Sequence, residues 1–501
     1  MKRYLGLSLF AFAVLSFAAV WLGGLNQDEG WGLYAATLVA GGKVPYLDFF
    51  YTQGPVTAYV YAALSPLWEP FGLVGGRVAT WAMGALAIVA ACRLAASFCG
   101  RKGAAAATAA ALATALLLGS NLYHVYYTSI PKTYALASLF FATGFLALSR
   151  AVSSGSRIAL VASAAFLALA AGTRYSFGAA IAAAAVCLFA ADLRRTGFGF
   201  HLVRSRGVAF AAVAAAVLAA VYGPFLVVPA AREGLFAAFR YHVARAGGVD
   251  LVFSVGSLSR LVRWYLPVFV LLGLGFADAL RDKAGMGEAM RVSLVSCAAV
   301  FAVQFFAPFP YEDYQTPLMP VVAAAAAALV SARPDALLLA LGLSWASSFG
   351  SPLLEKWTTD GQDRFWTIKK EKSEMALLKD AAKAVEALDP GGKTLLTQDL
   401  YLAVESRRKV PDGLEMGPFS MLGRDEWLKL LSSAPCPVAA FSGYGFSIKP
   451  PECVERPFDE QMEFWNALKK NYSRAGVIES FGQNSTTLII LKRGGKEGGA
   501  K

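Results

Sequence analysis

Asp28 and Glu29 are the first acidic residues of the chain, and they stand where its first long apolar block ends. A carboxylate at the wet edge of a membrane helix can take a proton from a hydroxyl and so act as a general base. Alone, an acidic pair there is more simply a solvated helix end. The residues that follow argue against that bland reading. Tyr34–Leu38 reads as the start of an amphipathic helix, and Gly41-Gly42 breaks it. Pro45-Tyr46 opens an aromatic run, Phe49-Phe50-Tyr51, and Pro55 restarts a helix carrying Tyr59 and Tyr61. Aromatics at this density favour the lipid–water interface. An acidic pair held beneath interfacial helices suits a substrate with a lipid tail and a polar head.

The elements that must position this pair are mostly membrane helices. Of 501 residues, 56% are hydrophobic and 16% charged, against roughly a quarter charged in a soluble protein. The apolar excess lies in long Ala/Leu/Val/Phe blocks between Leu5 and Gly350. A spanning helix needs about 20 apolar residues. The candidates are Leu5–Leu25, Leu73–Phe98, Ala104–Ser120, Thr133–Ser149, Ile158–Gly172, Ser176–Ala191, Val208–Ala230, Arg263–Leu280, Arg291–Ala307, Pro317–Ser331 and Ala336–Gly350, about eleven in all. The first follows Lys2 and Arg3 without an evident cleavage site, so it reads as an uncleaved anchor.

The net charge of +12 suggests nucleic acid only at first sight. The basic residues sit in short loops: Arg101-Lys102, Arg150 with Arg157, Arg194-Arg195 with Arg204 and Arg206, Arg281 with Lys283, and Arg333. With the N-terminus inside, all fall on one side, which is the positive-inside pattern. Asp28, Glu29, Asp48, Glu69, Glu312 and Asp313 fall on the other. The expectation is an inner (cytoplasmic) membrane protein with its C-terminal domain on the outer, periplasmic side and no nucleic-acid partner. One outer loop, 231–260, breaks the pattern with Arg232, Arg240, Arg245 and Arg260. That is either noise or a site for something anionic.

The tail reads differently. Lys369–Leu388, Arg424–Ser432 and Asp459–Lys469 have helical patterns; Lys393–Thr397, Pro437–Phe441, Val477–Phe481 and Thr486–Leu491 read as short strands. The expected architecture is an α-helical polytopic membrane bundle over residues 1–350 and a small soluble α/β domain over 351–501. The tail has no phosphate-binding glycine loop and no Ser-His-Asp signature. Arg407, Arg408 and Lys409 read there as a basic surface strip. The six cysteines contain no C-x-x-C; Cys436 and Cys453 lie in the tail and are free to pair if it is exported.

Asp28-Glu29-Gly30, Tyr34-Ala35, Leu38, Gly42, Pro45-Tyr46, Asp48-Phe49-Phe50, Gly54-Pro55, Tyr59 and Tyr61-Ala62 together resemble the first outer loop of the GT-C glycosyltransferases. The similar branch contains bacterial aminoarabinose transferases and protein O-mannosyltransferases. The resemblance implies a sugar moved from a polyprenyl-phosphate donor to a lipid, glycan or protein acceptor at the outer face. It implies catalysis at Asp28, the acidic residue ending the first span. Polyprenyl phosphate leaves well, whereas an acceptor hydroxyl attacks poorly, so a base helps, and single attack implies inversion. Glu29 would either support the catalytic residue from behind or position the acceptor.

Further substrate-binding residues follow from the same resemblance: Tyr34, Tyr46 and Asp48 in the first loop, and Arg174 and Arg245 as positive charge for the departing phosphate. Arg174 also reads as an arginine snorkelling to headgroups. His242 precedes Arg245 by three residues, a pattern whose His helps bind a divalent metal in some members. Gln53-Gly54-Pro55 stands where the family has a carboxylate–lysine–proline trio, so the metal ligands are left unassigned. Tyr311 and Tyr314, in PFPYEDYQTPLMP, would face the outer cavity, and Lys132 stands after Pro131 where relatives have an acid. Two other readings are a transporter or flippase for a lipid-linked glycan, which asks for charge inside spans, and a non-catalytic membrane scaffold.

Overall fold

The computed structural model describes residues 10, 12–100, 102–197, 199, 205–244, 250–281, 286–307, 310–358, 371–420, 422–433, 435–443 and 459–494. The chain divides into two compact units. The spanning unit comprises Met1–Ala19, Thr52–Thr57 and Thr80–Leu354. The loop–tail unit comprises Val20–Tyr51, Ala58–Ala79 and Glu355–Lys501.

The spanning unit is helical, as Ala/Leu-rich blocks should be. Its helices start where small polar side chains cap them: Asn121 accepts from the His124 N–H, Ser156 from Ala159, Ser205 from Val208 and Asp250 from Phe253. In Met319–Leu329, every residue from Met319 to Ala328 is buried. Alanine methyls let neighbouring helices come close, which is how membrane helices gain packing without a hydrophobic drive. The surrounding core includes Leu94, Leu117, Phe141, Phe145, Leu167 and Leu271.

Among the described residues, six helices are long and apolar enough to cross a membrane: Ser65–Phe98, Thr133–Ser154, Tyr175–Thr196, Arg206–Val227, Glu288–Phe305 and Pro334–Leu354. The pair Leu251–Trp264 and Leu266–Arg281, bent by 85°, makes a seventh if it is one span. The chain is thus a polytopic membrane protein. The apolar blocks expected to span are helical where described, but several are short. Ala104–Gly119 and Arg157–Thr173 have 17 residues or fewer. At 1.5 Å per residue such helices reach less than the ~30 Å of a hydrocarbon core. Among the described residues, six or seven of the roughly eleven expected spans thus have the length and composition to cross, and of the first block only Phe12–Leu22 is seen as a helix.

In the loop–tail unit, the Gln27–Ala40 helix is followed by the short helix Ser65–Trp68 and the first turns of Gly72–Phe98. The tail contributes a four-stranded sheet: β1 Leu396–Thr397, β2 Val438–Phe441, β3 Tyr472–Phe481 and β4 Thr486–Arg493, in the order β1-β2-β4-β3. β1 runs parallel to β2, and the other neighbours are antiparallel. Helices Glu374–Leu388, Arg424–Ser433 and Asp459–Lys469 agree with the sequence pattern to within a few residues at each end. A further helix, Leu400–Glu405, packs on Gln27–Ala40. Gly30 makes that approach possible: a Cβ there would collide with the Tyr401 backbone.

Candidate functional site

In the loop–tail unit, Asn26 begins the first-loop helix with a capping box. Its side chain accepts from the Asp28 N–H at 3.0 Å, and Glu29 Oε1 accepts from the Asn26 N–H at 2.8 Å. Asp28 is half-buried, flanked by fully buried Gln27 and Glu29.

Glu29 is not an open group. Arg77 Nε donates to Glu29 Oε2 at 2.8 Å and Nη2 to Oε1 at 2.7 Å, with both side chains 0% exposed. Arg77 also donates to the Gly23 and Gly24 carbonyls, each at 2.9 Å. The bidentate pair ties the end of the first block to the Gly72–Phe98 helix. Both oxygens of Glu29 are committed to internal donors, which suits a supporting group rather than one that positions an acceptor. Arg77 was missed in the sequence because nothing marks an arginine in an apolar block as the partner of an acid 48 residues earlier.

The other first-loop candidates also have internal partners. Tyr34 is buried, and its hydroxyl accepts from the Val410 N–H at 2.9 Å. Burial pushes its phenol above the usual range. Tyr46 is buried with φ of 66°, and its ring lies 6.2 Å from Tyr51. Asp48 is exposed and accepts from the Val44 N–H at 2.7 Å, which closes the turn.

The tail has its own buried polar centre. Asp399, 2% exposed, accepts from the Ser442 N–H at 3.0 Å, Ser442 Oγ at 2.7 Å, Tyr401 Oη at 3.0 Å and Gln27 Nε2 at 3.0 Å. Burial pushes its carboxyl above the usual range, against the pull of those donors. Arg408 departs from the surface strip expected of it. Its side chain is 0% exposed and pairs with Asp389 at 2.6 Å and Glu386 at 3.0 Å. Arg407, exposed, donates to the Pro70 carbonyl at 2.6 Å. Cys436 is a buried free thiol, and Cys453 lies outside the described residues, so their pairing does too.

The spanning unit holds a second cluster, of cations and aromatic rings. Lys132 Nζ donates to Asp313 Oδ2 at 3.1 Å, and Tyr134 Oη donates to the same oxygen at 2.8 Å. The lysine lies 4.9 Å from the Tyr134 ring centre and 5.5 Å from that of Tyr127. Arg174 lies 4.8 Å from the Tyr134 ring and 5.1 Å from the Tyr314 ring, and its Nη1 donates to Thr133 Oγ1 at 2.9 Å. Its buried Nε has no hydrogen-bond partner. The extended backbone of Arg174, where helix Arg157–Thr173 stops, turns it into the cluster. Lys132 and Arg174 both lie by the Tyr134 ring and Asp313 pairs with Lys132, so these residues carry two positive charges to one negative. His124 adds none, because burial pushes its imidazole down to about 3.

Tyr311 is 47% exposed and packs edge-on against Phe253 and Tyr314. The Gln53 carbonyl accepts from the Tyr175 hydroxyl at 3.1 Å. His242 falls in the last turn of helix Pro229–Ala244, and Arg245 lies outside the described residues. The structure thus brings Lys132, Asp313, Arg174 and Tyr314 together, and Asp28 with Glu29 and Tyr34 on one helix. No group of three or more His, Cys, Asp or Glu with metal-binding geometry occurs among the described residues.

No family model matches the chain, and no curated protein matches it in sequence. Solved structures do match. ArnT from Cupriavidus metallidurans bound to undecaprenyl phosphate is 13% identical, with a TM-score of 0.66 over 100% of both chains. The same protein in its apo state is 14% identical, with a TM-score of 0.62 over 98% of each chain. The fold is thus similar to that of this solved ArnT structure. At this identity, the likeness lies in the backbone path over the length of the chain, tail included, and the side-chain chemistry must be argued from the chain itself.

Proposed function

We propose that this protein is a glycosyltransferase that moves a sugar from a polyprenyl-phosphate donor to an acceptor hydroxyl at the outer face of the inner membrane. The ArnT-like fold over the full chain is the observation that carries the reading. The chemistry asks for two things. One is a carboxylate to deprotonate the acceptor, and Asp28 is the half-open carboxylate of the first-loop helix, its neighbour Glu29 being consumed by Arg77. The other is positive charge for the leaving phosphate, and Lys132 and Arg174 offer it in the spanning unit. Attack by the acceptor oxygen forms the new glycosidic bond as the carrier phosphate departs with the old bond's electrons. The hydroxyl proton passes to Asp28, and one displacement inverts the anomeric carbon.

The test compares glycolipids and glycans by mass spectrometry in cells carrying the wild type, a deletion or Asp28→Asn, with folded protein measured in parallel. A sugar lost in the deletion and reduced at least ~100-fold in Asp28→Asn, the upper reach of general-base effects being about 10⁴-fold, supports the reading and names the product. A normal profile in Asp28→Asn at normal protein level removes Asp28 as the base and moves the transporter and scaffold readings ahead.

A further inference from the structure

Asp28 is held from both sides by groups that do no chemistry of their own. Upstream, the Leu25 N–H donates to Glu374 Oε2 at 2.5 Å, and the Gln27 N–H donates to Gln483 Oε1 at 2.9 Å. Downstream, Gly30 rests on the backbone of Tyr401. Between them, Gln27 Nε2 donates to both Asp399 Oδ1 and Tyr401 Oη at 3.0 Å, and the Tyr401 hydroxyl donates to the same Asp399 oxygen. Gln27 is 2% exposed and Tyr401 0%. These contacts all lie within the loop–tail unit.

We propose that Gln27, Asp399 and Tyr401 are positioning residues that fix the first-loop helix, and with it the Asp28 carboxylate, in the orientation that catalysis needs. The inference rests on the reading of Asp28 as the base. Two features single out this trio from ordinary packing. A buried carboxylate met by neutral donors is costlier than an apolar group of the same volume, so Asp399 is a poor choice for stability alone. Its donors also come from three separate places, Ser442 after β2, Tyr401 beside Asp399 and Gln27 in the first loop, so one oxygen sets the register of the helix against the sheet. Gln27 immediately precedes Asp28, and a misplacement of about 1 Å at a reacting group costs up to ~100-fold in rate.

The test uses the full chain with Gln27→Ala, Asp399→Asn and Tyr401→Phe. Product per folded molecule is followed in cells, and undecaprenyl phosphate binding is followed on the purified protein by thermal shift. The expected result is product formation down about tenfold or more for Gln27→Ala, within the range set by lost positioning, with undecaprenyl phosphate affinity unchanged. Tyr401→Phe, which keeps the ring, is expected to fold normally and lose rate by a smaller factor. Should Asp399→Asn fail to fold, the other two variants decide. Wild-type product per folded molecule in both Gln27→Ala and Tyr401→Phe overturns the proposal, as does a loss matched by weaker binding of the lipid phosphate. An active Asp28→Asn in the same assay would instead sink the base assignment, a failure distinct from that of the trio.

Discussion

The two units surround buried charge differently. The spanning unit sets cations beside rings, with Lys132 and Arg174 near the Tyr134 ring and Asp313 pairing with Lys132. The loop–tail unit satisfies its central carboxylates with hydrogen bonds, Glu29 by a bidentate arginine and Asp399 by four neutral donors. The contrast teaches where function is stored. Cations held mainly beside rings keep surplus charge to offer an anion. A satisfied network fixes the backbone on either side of the partly exposed Asp28.

Breaking the satisfied side gives the largest structural effect. Arg77→Met strands Glu29 in a dry site, and removal of one partner of a buried pair costs about 3–5 kcal/mol. Little folded protein is expected, read by size-exclusion chromatography of the solubilised chain. Arg77→Met with Glu29→Leu should recover most of it, because replacing both charges by apolar groups is often neutral. Persistence of the defect in the double variant would mean that Arg77 acts through the Gly23 and Gly24 carbonyls instead.

Breaking the surplus side should leave the fold intact and cut binding. Arg174→Ala is expected to weaken undecaprenyl phosphate binding about tenfold or more, one charge-assisted contact being worth roughly 1.5–3 kcal/mol. Lys132→Ala should weaken it at least as much, because it also leaves the Asp313 carboxylate unpaired nearby. Wild-type affinity in both variants, measured by thermal shift, would place the anion elsewhere.

The smallest effect sharpens the comparison through pH. Burial raises the folded-state pKa of both Asp399 and Glu415. Their contribution to stability is therefore full below the unfolded value of about 4 and is lost as pH rises through the folded values. Asp399→Asn should flatten the fall of Tm above about pH 4 by about 1–2 °C, since ~1 kcal/mol shifts Tm by about 2–4 °C in 150–250 residues and by less in a longer chain. A steeper fall in the variant would contradict the burial argument.

Much of this architecture was legible in the residues. The apolar blocks became helices because in lipid a helix satisfies every backbone polar group within its own segment. The break at Gly41-Gly42 and the restart at Pro55 fell where the turn residues stood, with helices Gln27–Ala40 and Pro55–Ala63 on either side. The helix Leu400–Glu405 was not legible, since six residues are too few to show a period. Nor was Arg408, which looks like its exposed neighbours Arg407 and Lys409 until Asp389 and Glu386 are folded beside it.

Sequence by itself determined that the chain enters a membrane, that a small α/β domain follows, and that Asp28 heads an aromatic first loop. These are local properties: hydropathy, period and turn chemistry act over tens of residues at most. Tertiary structure decided which of the two adjacent carboxylates is sealed in a buried ion pair, because that depends on Arg77 arriving from 48 residues away. It also decided that residues near position 400 grip the helix near position 30. Hydrogen bonds of 3 Å between groups 372 residues apart leave no trace in either segment alone.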